Sequence, residues 1–387
     1  MSLSSHGFHT LMLSSPLFER EQLMEHFTEF SKKTGSIQIY TDDYGATVIT
    51  FHKEHVGIKW CIRRDIWIEE YKGTVDFLYV EINPKILSGI TDYLTAATLD
   101  DMDVAITNFN RISQSISPIL GSFDDYKLTR IDYCVNLSLK ELAPECTDEQ
   151  MIDLIKRSDV PPSYIEWTEY DKVAHRTKTK PESFYLMNNS IHINCYSKYM
   201  QLVKRSEENI AKGYPPIPQE TLLKARGIIR FEVQCHYRKT YSLSRRAQKN
   251  GDQNYNKYEH LLTHEHCVDV LNHYYKKTIG RGHWYPLHTA IAMVKKQNYN
   301  LQKEARLIVA LEEVSQYRSV AKAKEAYQGH DLDIFKQSLK DLRGIGINPV
   351  TIPKHWGIKR ILNLLETYHS RLWMEQFSPH SEDILVR

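Results

Sequence analysis

Residues 129–137 read Thr-Arg-Ile-Asp-Tyr-Cys-Val-Asn-Leu. A strand sends successive side chains to opposite faces, so Ile131, Tyr133, Val135 and Leu137 share one side. Arg130, Asp132, Cys134 and Asn136 share the other. Two later stretches repeat the pattern. In 190–198, Ser-Ile-His-Ile-Asn-Cys-Tyr-Ser-Lys, an apolar row of Ile191, Ile193 and Cys195 opposes His192, Asn194, Tyr196 and Lys198. In 227–236, Gly-Ile-Ile-Arg-Phe-Glu-Val-Gln-Cys-His, the apolar row is Ile229, Phe231, Val233 and Cys235. Arg230, Glu232, Gln234 and His236 lie opposite. Strands that pair with their apolar rows against one helix layer make their polar rows converge.

Working outward, residues 36–83 are strand-rich: 37–40, 46–51, 56–62 and 75–82 alternate or are β-branched, and Asp-Asp-Tyr-Gly at 42–45 supplies a hairpin turn. Pro84 ends the last of them. Apolar residues at helical spacing cover 100–119 (Val104, Ile106, Phe109, Ile112, Ile116 and Ile119), and Thr147 N-caps a helix over 147–157. Residues 159–182 lack a period and carry Lys172, His175, Arg176, Lys178 and Lys180, an exposed basic loop. Beyond about 240 the pattern turns helical, with segments at 256–277, 285–297, 301–328, 331–343 and 357–376; Gly344 and Pro349 punctuate them. The expected fold is α+β: an antiparallel-sheet catalytic domain at 20–245, followed by a mostly helical domain at 246–387.

The 50 Lys and Arg nearly balance the 48 Asp and Glu, for a net charge of +2, so any nucleic-acid surface must come from local segregation of charge. The 24 tyrosines suit base stacking and a Tyr-rich sheet equally. The six cysteines form no CxxC pair and read as reduced thiols, with Cys134, Cys195 and Cys235 in strands. Neither a signal peptide nor an 18-residue apolar run is present, so the expected location is cytoplasmic, with no membrane partner.

The converging polar rows suit cleavage of a phosphodiester. Asp132, Glu232 and His192 would hold Mg²⁺ or Mn²⁺, Tyr196 would attack phosphorus, and Lys198 and Arg230 would neutralise charge. The plain alternatives are polar faces that meet water and carboxylates that pair with Arg130 or Arg230. Arg238, Lys239, Arg245, Arg246 and Lys249 form a basic run fit to follow a DNA backbone, or a solvated loop. The spacings of His264, His266, Cys267, His273, His283 and His288 match no zinc pattern. Segments 315–328 and 331–343 fit a helix-turn-helix or winged-helix unit, or plain helical packing.

Arg130-Ile-Asp132, then Cys195-Tyr-Ser-Lys-Tyr199, then Ile229-Arg-Phe-Glu-Val-Gln234 resemble in order the replication initiators of rolling-circle plasmids. They are nearest the Rep_trans class and the gene II-type initiators of filamentous phages, whose comparable segments read roughly R-x-D, I-Y-x-K and R-F-E. Leu78-Tyr-Val-Glu-Ile-Asn-Pro-Lys85 resembles their amino-terminal strand. The resemblance covers about residues 35–240. It implies an antiparallel-sheet nicking domain and a site-specific nickase and ligase that forms a 5′-phosphotyrosine with a divalent metal. It also implies Asp132 and Glu232 as metal carboxylates, Tyr196 as nucleophile, and Lys198 as the adjacent lysine. Tyr199 is the alternative nucleophile, and His192-Ile-Asn194 departs from the His-hydrophobic-His pair of the broader nicking superfamily. The implied partners are origin DNA, single-stranded or hairpin, a host helicase and a second copy of the chain. Arg130, Lys178, Arg238, Lys239, Arg245 and Arg246 are the candidate DNA contacts. The competing functions are a non-catalytic origin-binding protein, a tyrosine recombinase and a metal-only nuclease.

Overall fold

A computed structural model describes residues 5–51, 56–69, 72–90, 92, 94–171, 176–211, 213–253 and 258–377. The strands are β1 (Ser5–Leu17), β2 (Ile37–Thr41), β3 (Thr47–Phe51), β4 (Ile58–Ile68), β5 (Gly73–Ile82), β6 (Lys127–Ser138), β7 (Ile165–Glu166), β8 (Glu169–Asp171), β9 (Arg176–Lys178), β10 (Ser183–Met187), β11 (Ile191–Ser197) and β12 (Ile228–Cys235). Ten of them form one antiparallel sheet, in the order β2-β3-β4-β5-β1-β6-β12-β11-β10-β7. β8 and β9 form a separate hairpin, so part of the expected basic loop is a two-stranded ribbon. Lys172 and His175 lie outside the described residues, as do the side chains of Arg176 and Lys178.

The helices are α1 (Arg20–Thr34), α2 (Pro84–Leu87), α3 (Leu99–Ile116), α4 (Leu139–Leu142), α5 (Asp148–Lys156), α6 (Lys198–Ala211), α7 (Gln219–Ala225), α8 (Tyr237–Lys249), α9 (His264–Thr278), α10 (Leu287–Lys295), α11 (Leu301–Tyr317), α12 (Val320–Glu325), α13 (Gly329–Gly344) and α14 (Leu364–Phe377). The sheet is α+β in class, with a helical remainder, as expected. Its apolar rows face helices. Tyr275 of α9 meets Phe231 of β12 at a ring distance of 5.2 Å, and Phe27 of α1 meets Trp60 of β4 at 5.4 Å. All four rings are fully buried, each worth about 1.5–3 kcal/mol of transfer free energy. Tyr133 hides its hydroxyl by donating to the carbonyl of Leu261, ahead of α9, at 2.8 Å.

Several local expectations shift. The first 35 residues, which the sequence pattern left without secondary structure, supply β1 in the middle of the sheet, ahead of the domain start expected at 20, and then α1. The segment expected to be one helix over 301–328 breaks at Arg318, whose φ of +52° is left-handed, and restarts at α12 with Ser319 as N-cap. The helix expected from 256 starts at His264, capped by Thr263, and the one expected from 357 starts at Leu364. Lys198 opens a helix instead of ending a strand. α8 runs through residue 245, and α9 packs on β1, β6 and β12.

Candidate active site

The register of the central strands assembles the polar rows. His192 lies across from Gln234 and Asp132, Asn194 from Glu232 and Cys134, and Tyr196 from Arg230 and Asn136. β1 adds a residue that the sequence reading missed. Phe8 pairs with Tyr133 and Leu11 with Ile131, so His9 and Thr10 together oppose the single residue Asp132. That extra residue is a β-bulge, which re-aims side chains, and His9 Nδ1 comes within 3.4 Å of Glu232 Oε2.

His9, Asp132 and Glu232 each offer a ligand atom, and these atoms lie within 4.8 Å of one another. Two hard oxygens and one imidazole nitrogen suit Mn²⁺ or Mg²⁺. Asp132 is fully buried, and Arg130 grips it through two bonds, Nε to Oδ1 at 2.8 Å and Nη2 to Oδ2 at 2.7 Å. Burial nevertheless pushes its pKa up to about 7 against that arginine, with Glu232 and Glu81 adding to the rise. Burial acts on Glu232 too, but His9, a 2.8 Å bond from Gln234 and the nearby Arg230 hold it below the usual carboxylate range. His9 is itself lowered to about 4, chiefly by burial, and is neutral and fit to ligate at pH 7. Two crowded buried carboxylates of which one resists ionisation are a donor set that a divalent cation satisfies.

The other candidates fall into place around this cluster. His192 does not join the ligand group. Its Nδ1 lies 2.9 Å from the hydroxyl of Tyr185, and its ring packs on His236 at 4.2 Å. Tyr196 is on the expected face but only 3% exposed, and burial drives its pKa far above the ordinary phenol value. Arg230, 1% exposed, lies directly opposite it and donates to Asn136 Oδ1 at 2.8 Å and to the carbonyls of Leu94 and Thr95 at 3.1 and 3.0 Å. The segment before α3 therefore covers this end of the row. Lys198, also buried, sits 5.8 Å from the Tyr196 ring; burial, then Arg230 and Lys85, pull its pKa well down. Tyr199 lies on α6 under the exposed guanidinium of Arg226, which donates to its hydroxyl at 3.1 Å.

Tyr185 of β10, which the sequence reading left out, pairs with Asn194, itself opposite Glu232. It is half-buried, and its pKa is raised by burial and further influenced by Arg130, Glu232 and Asp132. β10 is only five residues long, so its polar row is too short to single out from sequence.

Arg130 is the one candidate DNA contact in the cluster itself. Arg238, Arg245 and Arg246 are exposed on α8, with Lys239 half-buried beside them. The side chain of Lys178 lies outside the described residues.

No family model matches the chain, and no curated protein does. Among solved structures it is similar to a rolling circle replication initiator protein from Geobacillus stearothermophilus, at 10% identity and a TM-score of 0.28. The match covers 64% of this chain and 80% of that one. Similarity at that level carries no functional argument. No helix among the described residues is long and apolar enough to cross a membrane.

Proposed function

We propose that this chain nicks and rejoins one strand of DNA through a tyrosine, at a site where His9, Asp132 and Glu232 hold a divalent ion. The carrying observation is that a metal-competent cluster and a phenol hydrogen-bonded to an imidazole share one face of adjacent strands. The ion, when bound, would polarise the scissile phosphate.

The geometry favours Tyr185 as nucleophile over Tyr196. It sits two strand spacings from Glu232, about 10 Å, on a half-exposed position, whereas Tyr196 is covered by the segment through Leu94 and Thr95. As the Tyr185 oxygen bonds to phosphorus, its proton passes to His192 Nδ1, neutral because burial and Arg130 lower its pKa. The bond to the 3′-oxygen breaks, that oxygen leaves as a hydroxyl with a proton from solvent, and the 5′-phosphate stays on the phenol. Rejoining runs the same steps backwards and needs no ATP, because the phosphotyrosine conserves the bond energy. Arg130 orients Asp132 and adds positive charge at the edge of the cluster. Lys198, Arg230 and the Tyr196 hydroxyl would engage the strand only if Leu94 and Thr95 move aside.

In this reading the sheet and its helices from β1 through α8, residues 5–249, are the nicking domain, and the helices that follow support it. Origin DNA is the substrate, and a helicase and a second copy are the partners. The test uses labelled single-stranded oligonucleotides tiled across the DNA that carries the gene, with Mn²⁺, Mg²⁺ or chelator, on denaturing gels. A metal-dependent protein–DNA adduct lost in Tyr185→Phe and kept in Tyr196→Phe and Tyr199→Phe is the expected result. Loss only in Tyr196→Phe would move the nucleophile onto β11. DNA binding without an adduct under any condition would leave a non-catalytic DNA-binding protein, and metal-dependent cleavage with free ends would leave a nuclease.

A further inference from the structure

The opposite side of the sheet carries a second cationic feature. α8 reads Tyr-Arg-Lys-Thr-Tyr-Ser-Leu-Ser-Arg-Arg-Ala-Gln-Lys and holds no acidic residue. Lys239, Leu243 and Arg246 with the C-cap Asn250, spaced by four, three and four, form one stripe along it, and His266, Val270, His273 and Lys276 form a stripe of α9. The two stripes wall a cleft of about 760 Å³. α9 packs on the apolar rows, so this cleft lies behind the sheet as seen from His9, Asp132 and Glu232.

Its polar groups are set for an anion. The Lys239 ammonium rests 5.7 Å over the Tyr274 ring, and among the described residues neither it nor Arg246 makes an ion pair. His266 Nε2 is buried without a hydrogen-bond partner. The groups facing His266 and His273 are Lys239 and Arg246 from α8, Asp269, Lys276 and Lys277 from α9, and His260 and Asp252 from the intervening turn. Burial lowers both histidines; His260, Lys239 and Arg246 lower His266 further against an upward pull from Asp269, and Lys239, Lys277 and Arg246 lower His273 further. Burial, with Arg246 and Lys277 after it, lowers Lys239 as well. Cations that repel one another across a cleft are relieved by a phosphate between them.

We propose that the cleft between α8 and α9 is a phosphodiester-binding site that holds DNA backbone behind the sheet. Lys239 and Arg246 contact phosphates, and His266 and His273 line the cleft beside them. The inference rests on the proposed function only for the identity of the phosphate's owner. A strand nicked on the front face would then be anchored by flanking DNA at the back. The contact reads charge and spacing, not sequence.

The test measures affinity of the full chain for a fluorescent 20-base-pair duplex of mixed sequence, as a function of NaCl. Each phosphate contact contributes about 0.9 to the slope of log K against log salt. Lys239→Gln with Arg246→Gln should lower the slope by about 2, which corresponds to about thirtyfold weaker binding at 0.15 M NaCl. Lys295→Gln with Lys296→Gln, exposed on the far helix α10 and its cap, removes the same charge and should leave the slope unchanged. Histidine ring NMR adds a local readout. His266 and His273 signals should move on duplex addition, and the shift should vanish in the double variant. Arg246→Gln alone, at an exposed position, serves if Lys239→Gln unfolds the chain, and should lower the slope by about 1.

An unchanged slope in the variants, or histidine signals that ignore saturating duplex, overturns the proposal. Signals that respond to pyrophosphate and are not displaced by DNA overturn the DNA assignment. The nicking reading fails separately: no adduct with intact cleft binding sinks nicking alone, and an adduct with a silent cleft sinks the cleft alone.

Discussion

His6 ties β1 to α14, and acid should untie them. It sits on β1 opposite Val135, 9% exposed, with Nε2 3.2 Å from Nε2 of His369 and Nδ1 3.5 Å from the hydroxyl of Tyr368, both on α14. The ring of His264, at the start of α9, lies edge-on at 5.5 Å. Burial, then His369 and His264, lower the His6 pKa to about 3, against 6.5 when unfolded. Above pH 6.5 the ring is neutral in both states and contributes nothing to the pH dependence. Below it the unfolded chain takes up a proton that the folded chain refuses, so stability falls with pH at about 1.4 kcal/mol per unit until the folded ring titrates. Between pH 7 and pH 5 this integrates to about 2 kcal/mol, and any folded pKa under about 4 gives nearly the same figure. Urea unfolding at both pH values, for wild type and His6→Gln, reads the effect of His6 together with its coupling to His369 and His264, because histidines elsewhere in the chain titrate alike in both proteins. The variant should lose about 2 kcal/mol less than wild type between pH 7 and pH 5. Equal losses would refute the reasoning and show that His6 is protonated, or reached by water, in the folded chain.

Mn²⁺ at a hundredfold excess over its dissociation constant should stabilise the chain by about 2.7 kcal/mol, read as a rise in melting temperature. The rise should disappear in His9→Ala and Asp132→Asn and persist in His192→Ala; the reverse pattern would move the ion to β11. Arg230→Met strips the donor from Asn136 and from two main-chain carbonyls, so it should cost about 3–5 kcal/mol in urea unfolding. A cost under about 1 kcal/mol would mean that relief of repulsion with Lys198 and Lys85 offsets the lost bonds.

Period-two alternation made β6, β11 and β12 legible, because a strand's two faces are local properties of the chain. Their shared polar face follows once they pair, and the antiparallel register places Asp132 near Glu232 as the alternation implied. Tyr196 shows where local reading stops. Its face was legible, but its cover is the carbonyl-bearing segment at 94–95, about a hundred residues away in the chain and tied down by Arg230. Helix existence beyond 260 was legible from apolar spacing, whereas the breaks at Arg318 and before Leu364 depend on main-chain geometry that no periodicity records.

The missed strand and the missed ligand have one cause. β1 carries Gly7, Pro16 and several serines, and its alternation slips at His9–Thr10, so it fails the test that finds its neighbours. That slip is the bulge that lets His9 reach Glu232. A regular β1 would keep strict alternation, with one residue of β1 facing Asp132 and no surplus to re-aim. The irregularity that hides the strand from pattern reading is thus the feature that completes the donor set, as expected where a local rule is broken for a site.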